Sequence, residues 1–478
     1  MPFTCALAQN VAEPAHLGPI AITGSVRTRV EGWDWFKGQG ENGYAYSGTL
    51  ARISLSQSSP RFDWQLELVA PVLLGLPNGA IGPGAQGQFG LGAAYFAANN
   101  PAGAMANRNS AFVFPMQAFV RLKSPFRRSK ESLMIGRLQF ADGAEVVPAN
   151  STLAALKTTR VNQRLIGTFA FTHVQRALYG AEYRREIGNL TLDAVAALPT
   201  RGVFQVDGWG VMKAAFAYGS ITRSLNRAGV SSEWRLFGIY YDDWRRVAKT
   251  DNRPPALRAA DAGAIKIGTF GAHLLHTATN TAGTVDLIAW AAIQGGRWGA
   301  LTHRATAFDV EAGLQPKLLP RVRPWIRAGF TYASGDADAA DARHGTFFQL
   351  LPTPRLFALF PFYNMMNNRD AFAIVILRPS SRLTVKQESH WLRLANGRDL
   401  WYAGGGAFQP WTFGFSGRPS NGAAALANVY DVSADYVLNK NTTASAYWGH
   451  AAGKSVVAGI FKDRPSGSFG YLEMTLRF

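Results

Sequence analysis

The feature that most limits what this chain can fold into is strict alternation. Apolar residues return at every second position in stretches of about ten residues, repeated from end to end and separated by clusters of Gly, Asn, Asp and Pro. Phe62, Trp64, Leu66, Leu68, Ala70 and Val72 share one face of such a stretch, with Asp63, Gln65 and Glu67 on the other. Leu190 to Leu198 repeats the pattern against Thr191 and Asp193, and Val285 to Ile293 repeats it against Thr284 and Asp286. A period of two is strand geometry, so each stretch is a strand with one greasy and one polar side.

A soluble sandwich would alternate in the same way, because its apolar faces pack on a second sheet. Connection lengths separate the two cases. The pattern predicts strands at 20–36, 43–57, 62–72, 112–123, 132–140, 176–187, 189–199, 211–223, 231–242, 264–276, 283–294, 303–314, 322–334, 370–379, 382–394, 426–438, 441–451 and 468–478, about eighteen in all. Odd-numbered gaps include the long segments 73–111, 141–175, 243–263, 335–369 and 395–425, whereas even-numbered gaps are tight, as at Gly188-Asn189, Pro379 to Ser381 and Asn439-Lys440. Long loops at one end and short turns at the other predict an all-β, antiparallel, up-and-down transmembrane barrel in a bacterial outer membrane, with both termini on the periplasmic side. The last strand agrees: Leu472, Met474, Leu476 and Phe478 alternate with Glu473, Thr475 and Arg477, and the chain finishes on an aromatic residue.

Composition excludes the competitors. The longest apolar runs, such as Leu287 to Ile293, are far too short for a spanning helix. With 17% charged and 12% aromatic residues the chain is not disordered, and its single cysteine rules out a disulfide framework, a zinc cluster of cysteines or a C-x-x-C site. The net charge of +18 is spread one or two residues per strand instead of in a stripe or tail, which argues against nucleic acid. Gly82-Pro-Gly-Ala-Gln-Gly87 matches G-x-G-x-x-G without the helix a dinucleotide site needs, and no Ser and His pair stands at a hydrolase spacing, so no enzyme is expected. Ala6-Leu7-Ala8 before Gln9 reads as the end of a signal peptide. Residues 1–19 are accordingly expected to be a leader remnant with a periplasmic segment, and 20–478 the barrel.

If the greasy faces meet lipid, the polar faces line a lumen. The positive lining residues are then Arg27, Arg29, Arg52, Arg121, Lys123, Arg137, Arg184, Arg235, Arg323, Arg327 and Lys386, with Lys213 beside them. Their acidic partners are Glu31, Glu67, Glu182, Glu311, Glu388, Asp431 and Asp435, and Glu233, Asp309 and His390 face the same way. Arginine outnumbers lysine, which suits bidentate contact with carboxylates or phosphates and points to an anionic solute. The alternative is that these arginines pair with carboxylates on neighbouring strands and stiffen the wall. No cofactor is implied beyond a structural Ca²⁺ that Asp336, Asp338 and Asp341 would hold after the thirteenth strand. His273 and His276, at strand period, face opposite sides and cannot share an ion.

The stretches Gly24-Ser-Val-Arg-Thr-Arg-Val-Glu31, Ile135-Gly-Arg-Leu-Gln-Phe140 with Asp142-Gly143, Thr331-Tyr-Ala-Ser-Gly-Asp336, Gly345-Thr-Phe-Phe-Gln-Leu350, and Leu438-Asn-Lys440 with Trp448-Gly-His450 resemble the alginate-export family of outer-membrane barrels. The resemblance implies eighteen strands and an arginine-rich constriction selecting polyuronate, with roles for Arg27, Arg29, Arg52, Arg137, Arg323 and Arg327. In that family a long extracellular loop and a long periplasmic turn close the pore. Residues 73–111 are long enough for the first, whereas Asn439-Lys440 leaves no room for the second. The expected function is a passive channel exporting an acidic, alginate-like polysaccharide. The alternatives are a general anion or nutrient porin, and a barrel serving as receptor or scaffold through its loops. The expected partners are outer-membrane lipid, an anionic polysaccharide or sugar acid, and periplasmic export machinery.

Overall fold

The computed structural model describes residues 13–37, 42–76, 109–201, 203, 210–406 and 413–478. Eighteen strands form its wall: β1 (Ile20–Asp34), β2 (Gly43–Ser58), β3 (Phe62–Leu74), β4 (Phe114–Lys123), β5 (Glu131–Leu138), β6 (Leu178–Ile187), β7 (Leu190–Pro199), β8 (Ala214–Arg227), β9 (Val230–Asp243), β10 (Ile265–Thr279), β11 (Gly283–Trp298), β12 (Leu301–Pro316), β13 (Trp325–Ala333), β14 (Asn368–Leu377), β15 (Leu383–Arg393), β16 (Ala425–Val437), β17 (Thr442–Gly453) and β18 (Ser466–Arg477). Each pairs antiparallel with its sequence neighbours, and β1 pairs with β18 from Ser25 opposite Arg477 to Asp34 opposite Ser468, which closes the barrel. Beyond that register Gly24 exchanges both backbone hydrogen bonds with Phe478, at 2.8 and 3.0 Å. A Cβ at Gly24 would run into the Phe478 ring and the Arg52 carbonyl, so only glycine lets the chain end lie down there. Residues Ala15–Leu17 fold back onto Ile20–Ile22, so the segment before the barrel is itself strand-paired.

Burial is inverted relative to a soluble protein. On β11 Val285, Leu287 and Ile293 are exposed, while Asp286, Ile288, Trp290 and Gln294 are buried. On β18 Leu472, Met474 and Leu476 are exposed and Thr475 is buried. An apolar belt facing outward, with every ladder hydrogen bond closed on itself, is what a hydrocarbon surrounding requires of strands. No helix among the described residues is long and apolar enough to cross a membrane.

The predicted alternation of connections holds with one exception. The turns at one end run from two residues, Gly188-Asn189, to eight, 317–324. The opposite end carries the long segments, except that Gly299-Ala300 joins β11 to β12 as tightly as any turn. Residues 77–108, within the segment expected to close the pore, lie outside the described residues. The segment that enters the barrel is 139–177, between β5 and β6. It holds a short helix, α1 (Ser151–Leu156), capped by Asn150 Oδ1 accepting from the Leu153 N–H at 3.1 Å, which runs on as a wider turn over Lys157–Val161. Residues 334–367 follow it inward: the Gly167 N–H donates to the Leu351 carbonyl and the Leu351 N–H to the Leu165 carbonyl, both at 2.8 Å. The chief apolar packing therefore lies inside the barrel mouth. There Trp35, Phe36, Phe360, Phe362, Trp401 and Phe461 are buried together, with Trp35 stacked on Phe360 at 5.3 Å between centroids.

Candidate channel lining

Segment 139–177 spans the lumen, and its contacts with the wall are ionic. Lys157 Nζ reaches Glu233 on β9 at 2.6 Å, Arg160 Nε reaches Glu311 on β12 at 2.9 Å, and Arg164 Nη2 reaches Asp309, also on β12, at 2.8 Å. These cations are spaced three and four residues apart, the helical repeat that lines up one face, so one side of the segment meets one wall. Arg327 on β13 completes the cluster, pairing with Asp286 on β11 and with Glu311 at 2.9 Å. All of these side chains are at most 5% exposed. Nearer the mouth, Arg235 on β9 holds Glu145 of the same segment at 3.1 Å.

The far side of the segment meets β1 and β2 by a different chemistry. Arg27 donates to the carbonyls of Ala170 at 2.7 Å and Thr172 at 2.6 Å, and Arg29 donates to that of Phe171. The Arg29 guanidinium lies 3.7 Å from the Phe171 ring centre and pairs with Glu31 at 3.0 Å and Glu473 at 3.5 Å. Arg52 pairs with Glu67 at 2.5 Å. Arg176, at the exit of the segment, donates to the carbonyls of Gly167, Leu351 and Gly406, tying three inward segments together. Burial pushes its guanidinium down to about 9.

Two cavities flank the segment. The larger, about 560 Å³, lies against β3 to β6 and is lined by Arg121, Glu145, Lys157, Glu182 and Arg184. Lys157 is the tightly held cation of this lining; those of the wall are loosely held: Arg121 is 4.0 Å from Asp63 and 42% exposed, Arg184 is 3.3 Å from Glu186 and 32% exposed, and Lys123 bonds Asp63 at 2.7 Å just below. The smaller, about 90 Å³, opens toward the short-turn end among Arg160, Arg327, Arg355, Lys386, Glu388 and Asp435. Arg355 comes from the inward segment 334–367. It is fully buried and donates to the Leu359 carbonyl, but its Nε and Nη2 have no partner among the described residues.

Most of the residues expected to line the lumen do so, and mostly as pairs; Lys386 meets Glu388 at 3.2 Å and Asp435 takes the Ser445 hydroxyl at 2.6 Å. Two do not. Arg137 is aligned with Ala118 and Tyr179, in step with the exposed Ile135, so its backbone parity points outward although its side chain is buried; its Nε donates to the Met116 carbonyl at 3.2 Å and its charge lies 5.0 Å from the Tyr179 ring. The strand's own period of two sets that parity. Arg323 sits on the exposed turn before β13, at φ +39°, with its Nε on the Arg378 carbonyl at 2.9 Å; Pro324 cannot donate to a ladder, so the strand begins only at Trp325. Asp336, Asp338 and Asp341 do not converge as a Ca²⁺ site among the described residues. Each accepts backbone N–H bonds within its own loop, from Asp338 and Gly345, from Ala340 and from Arg343. Sequence reasoning missed Lys157, Arg160, Arg164 and Arg355, all on connections instead of strands.

The sequence matches the family model described as alginate export over residues 115–452. Solved structures show the same barrel: the outer-membrane protein OpdK of Pseudomonas aeruginosa at 11% identity and TM-score 0.57, covering 96% of this chain and 98% of that one. OccK9 (OpdG) of the same organism stands at 12% and 0.58 over 96% and 98%, and OccAB2 of Acinetobacter baumannii at 10% and 0.61 over 97% and 99%. No curated protein sequence matches.

Proposed function

The chain belongs to the alginate export family and is a bacterial outer-membrane barrel of a channel type; from this premise we propose that it conducts anionic solutes passively, its substrate being an acidic, alginate-like polysaccharide. The observation that carries this reading is Arg355. A buried guanidinium whose Nε and Nη2 are unpartnered among the described residues, in a cavity lined also by Arg160, Arg327 and Lys386 with the carboxylates Glu388 and Asp435, is a preorganised seat for a passing carboxylate. The 90 Å³ around it has room for a handful of waters and not for a sugar ring. Passage of a polymer therefore requires segment 139–177 to swing off the wall.

A second reading is favoured by the larger cavity. Its 560 Å³ would hold a single sugar acid against Arg121 and Arg184 without that motion, as expected of a porin for small carboxylates. OpdK, similar in fold, has been crystallised with vanillate.

Single-channel recording in planar bilayers under a salt gradient decides between them, with polymannuronate, a neutral glucan and small sugar acids added in turn. Anion preference with block by the polyuronate alone, both reduced in Arg355→Ala, is the expected result. Block by small sugar acids that survives Arg355→Ala would favour the second reading. A barrel that conducts nothing, or prefers cations, would sink both and leave the loops as a docking surface.

A further inference from the structure

We propose that Glu388, His390 and Asp431 form a site for one divalent transition-metal ion of the Zn²⁺ class, set in the lumen wall between β15 and β16. The sheet register places Glu388 directly opposite Asp431, with His390 two residues further along the same face. One ligand atom from each lies within 4.8 Å of the other two, and all three residues are buried.

What points to an ion is the state of the remaining atoms. Glu388 spends Oε1 on Lys386 at 3.2 Å, and its Oε2 has no partner. Asp431 receives the Tyr447 hydroxyl on Oδ2 at 3.4 Å, and its Oδ1 has none. His390 Nδ1 lies 2.8 Å from Asp370 Oδ2 on β14 and 3.2 Å from the Tyr363 hydroxyl, while Nε2 is unpartnered. A carboxylate on Nδ1 fixes that nitrogen as the donor and leaves Nε2 its lone pair, the arrangement that orients a metal-binding imidazole. Three buried acceptors, one per residue, are thus left without a donor, and burial without a partner is costly for each. A cation accepting all three lone pairs satisfies them together.

The donor set selects the class of ion. One imidazole with two carboxylates suits Zn²⁺ with water as fourth ligand, whereas Ca²⁺ and Mg²⁺ prefer shells made only of oxygen. Ligands held tetrahedrally at about 2.0–2.2 Å stand roughly 3.5 Å apart, so the three side chains need close by no more than about 1.3 Å on binding. The aspartates at 336, 338 and 341 offer the contrast: both oxygens of Asp336 already accept from backbone N–H groups, and Asp338 and Asp341 are exposed, each with one oxygen so held. An ion here would also anchor segment 334–367, through Tyr363, to the wall.

Tag-free, full-length protein in detergent, stripped by chelator and equilibrated with Co²⁺, tests the proposal. One equivalent of Co²⁺ should be retained with the ligand-field absorption of a four- or five-coordinate ion and be displaced by Zn²⁺. His390→Gln and Asp431→Asn should each weaken retention at least tenfold, and Asp336→Asn should leave it unchanged. Lys386→Gln keeps every ligand and removes the competing cation from Glu388, so it should tighten binding severalfold. Heat-modifiable migration reports the folded barrel throughout. Failure of the parent protein to retain Co²⁺, or an unchanged spectrum in folded His390→Gln, overturns the site and assigns the balance of charge to protons on His390 and Asp431. Should His390→Gln not fold, the comparison of Lys386→Gln with the parent decides, and equal or weaker binding counts against the proposal.

Discussion

On the wall from β9 to β13, the carboxylates Glu233, Asp286, Asp309 and Glu311 are buried under cations that come largely from another part of the chain. On the wall from β3 to β6, Arg121, Lys123 and Arg184 are 32–42% exposed and, among the described residues, pair with carboxylates of the wall itself. The same residue types therefore do two jobs, and burial separates them. A buried ion pair that loses one partner leaves an uncompensated charge and costs about 3–5 kcal/mol, whereas an exposed pair is worth roughly 0–1 kcal/mol. The first wall holds segment 139–177 in place; the second presents charge to whatever enters the cavity beside it.

The comparison breaks most visibly at Glu311, which serves Arg160, Arg164 and Arg327 together. Glu311→Gln should release the inward segment while the barrel persists, raising single-channel conductance severalfold and opening residues 139–177 to protease; unchanged conductance would show that the segment is held elsewhere. A smaller effect is expected from Arg121→Gln combined with Arg184→Gln. The reversal potential under a salt gradient should shift toward cations by a few millivolts to tens of millivolts, with no loss of thermal stability, because these charges are screened and loosely paired. A fall in melting temperature there would mean that the two walls are alike after all. Smallest is Arg323→Ala, on an exposed turn outside the lumen, which should alter neither conductance nor selectivity in the same recordings.

How far the sequence could be read follows from the same contrast. All eighteen strands were legible, because a wall with lipid on one side must alternate, and residues such as Val285 to Ile293 carry that period without help from the rest of the chain. Lumen arginines on strands inherited the same legibility. Arg137 carries its charge on the outward parity of its strand, and Arg323 lies ahead of a strand that Pro324 keeps from starting before Trp325. The inward segment was illegible for a different reason. Nothing local distinguishes a connection that turns into a lumen from one that turns into water, since its partners lie about 150 residues away, as with Arg160 and Glu311. The one available signal was the spacing of Lys157, Arg160 and Arg164, a helical stripe of cations in a chain otherwise built on a period of two. Glu388, His390 and Asp431 were each read as lumen-facing, yet their convergence depends on register, which single strands do not reveal.

The seam between β1 and β18 gains its meaning from the segment that crosses behind it. The first and last strands meet only once the whole chain has been delivered, so closure is the most non-local pairing in the molecule and the slowest to find. Arg27 and Arg29 stand on one side of that seam and Glu473 on the other, and both arginines also grip the carbonyls of residues 170–172. A segment already lodged inside would give the incoming first strand a template before its ladder exists. The part that narrows the finished pore is thereby placed to act as the mandrel on which the wall is bent shut.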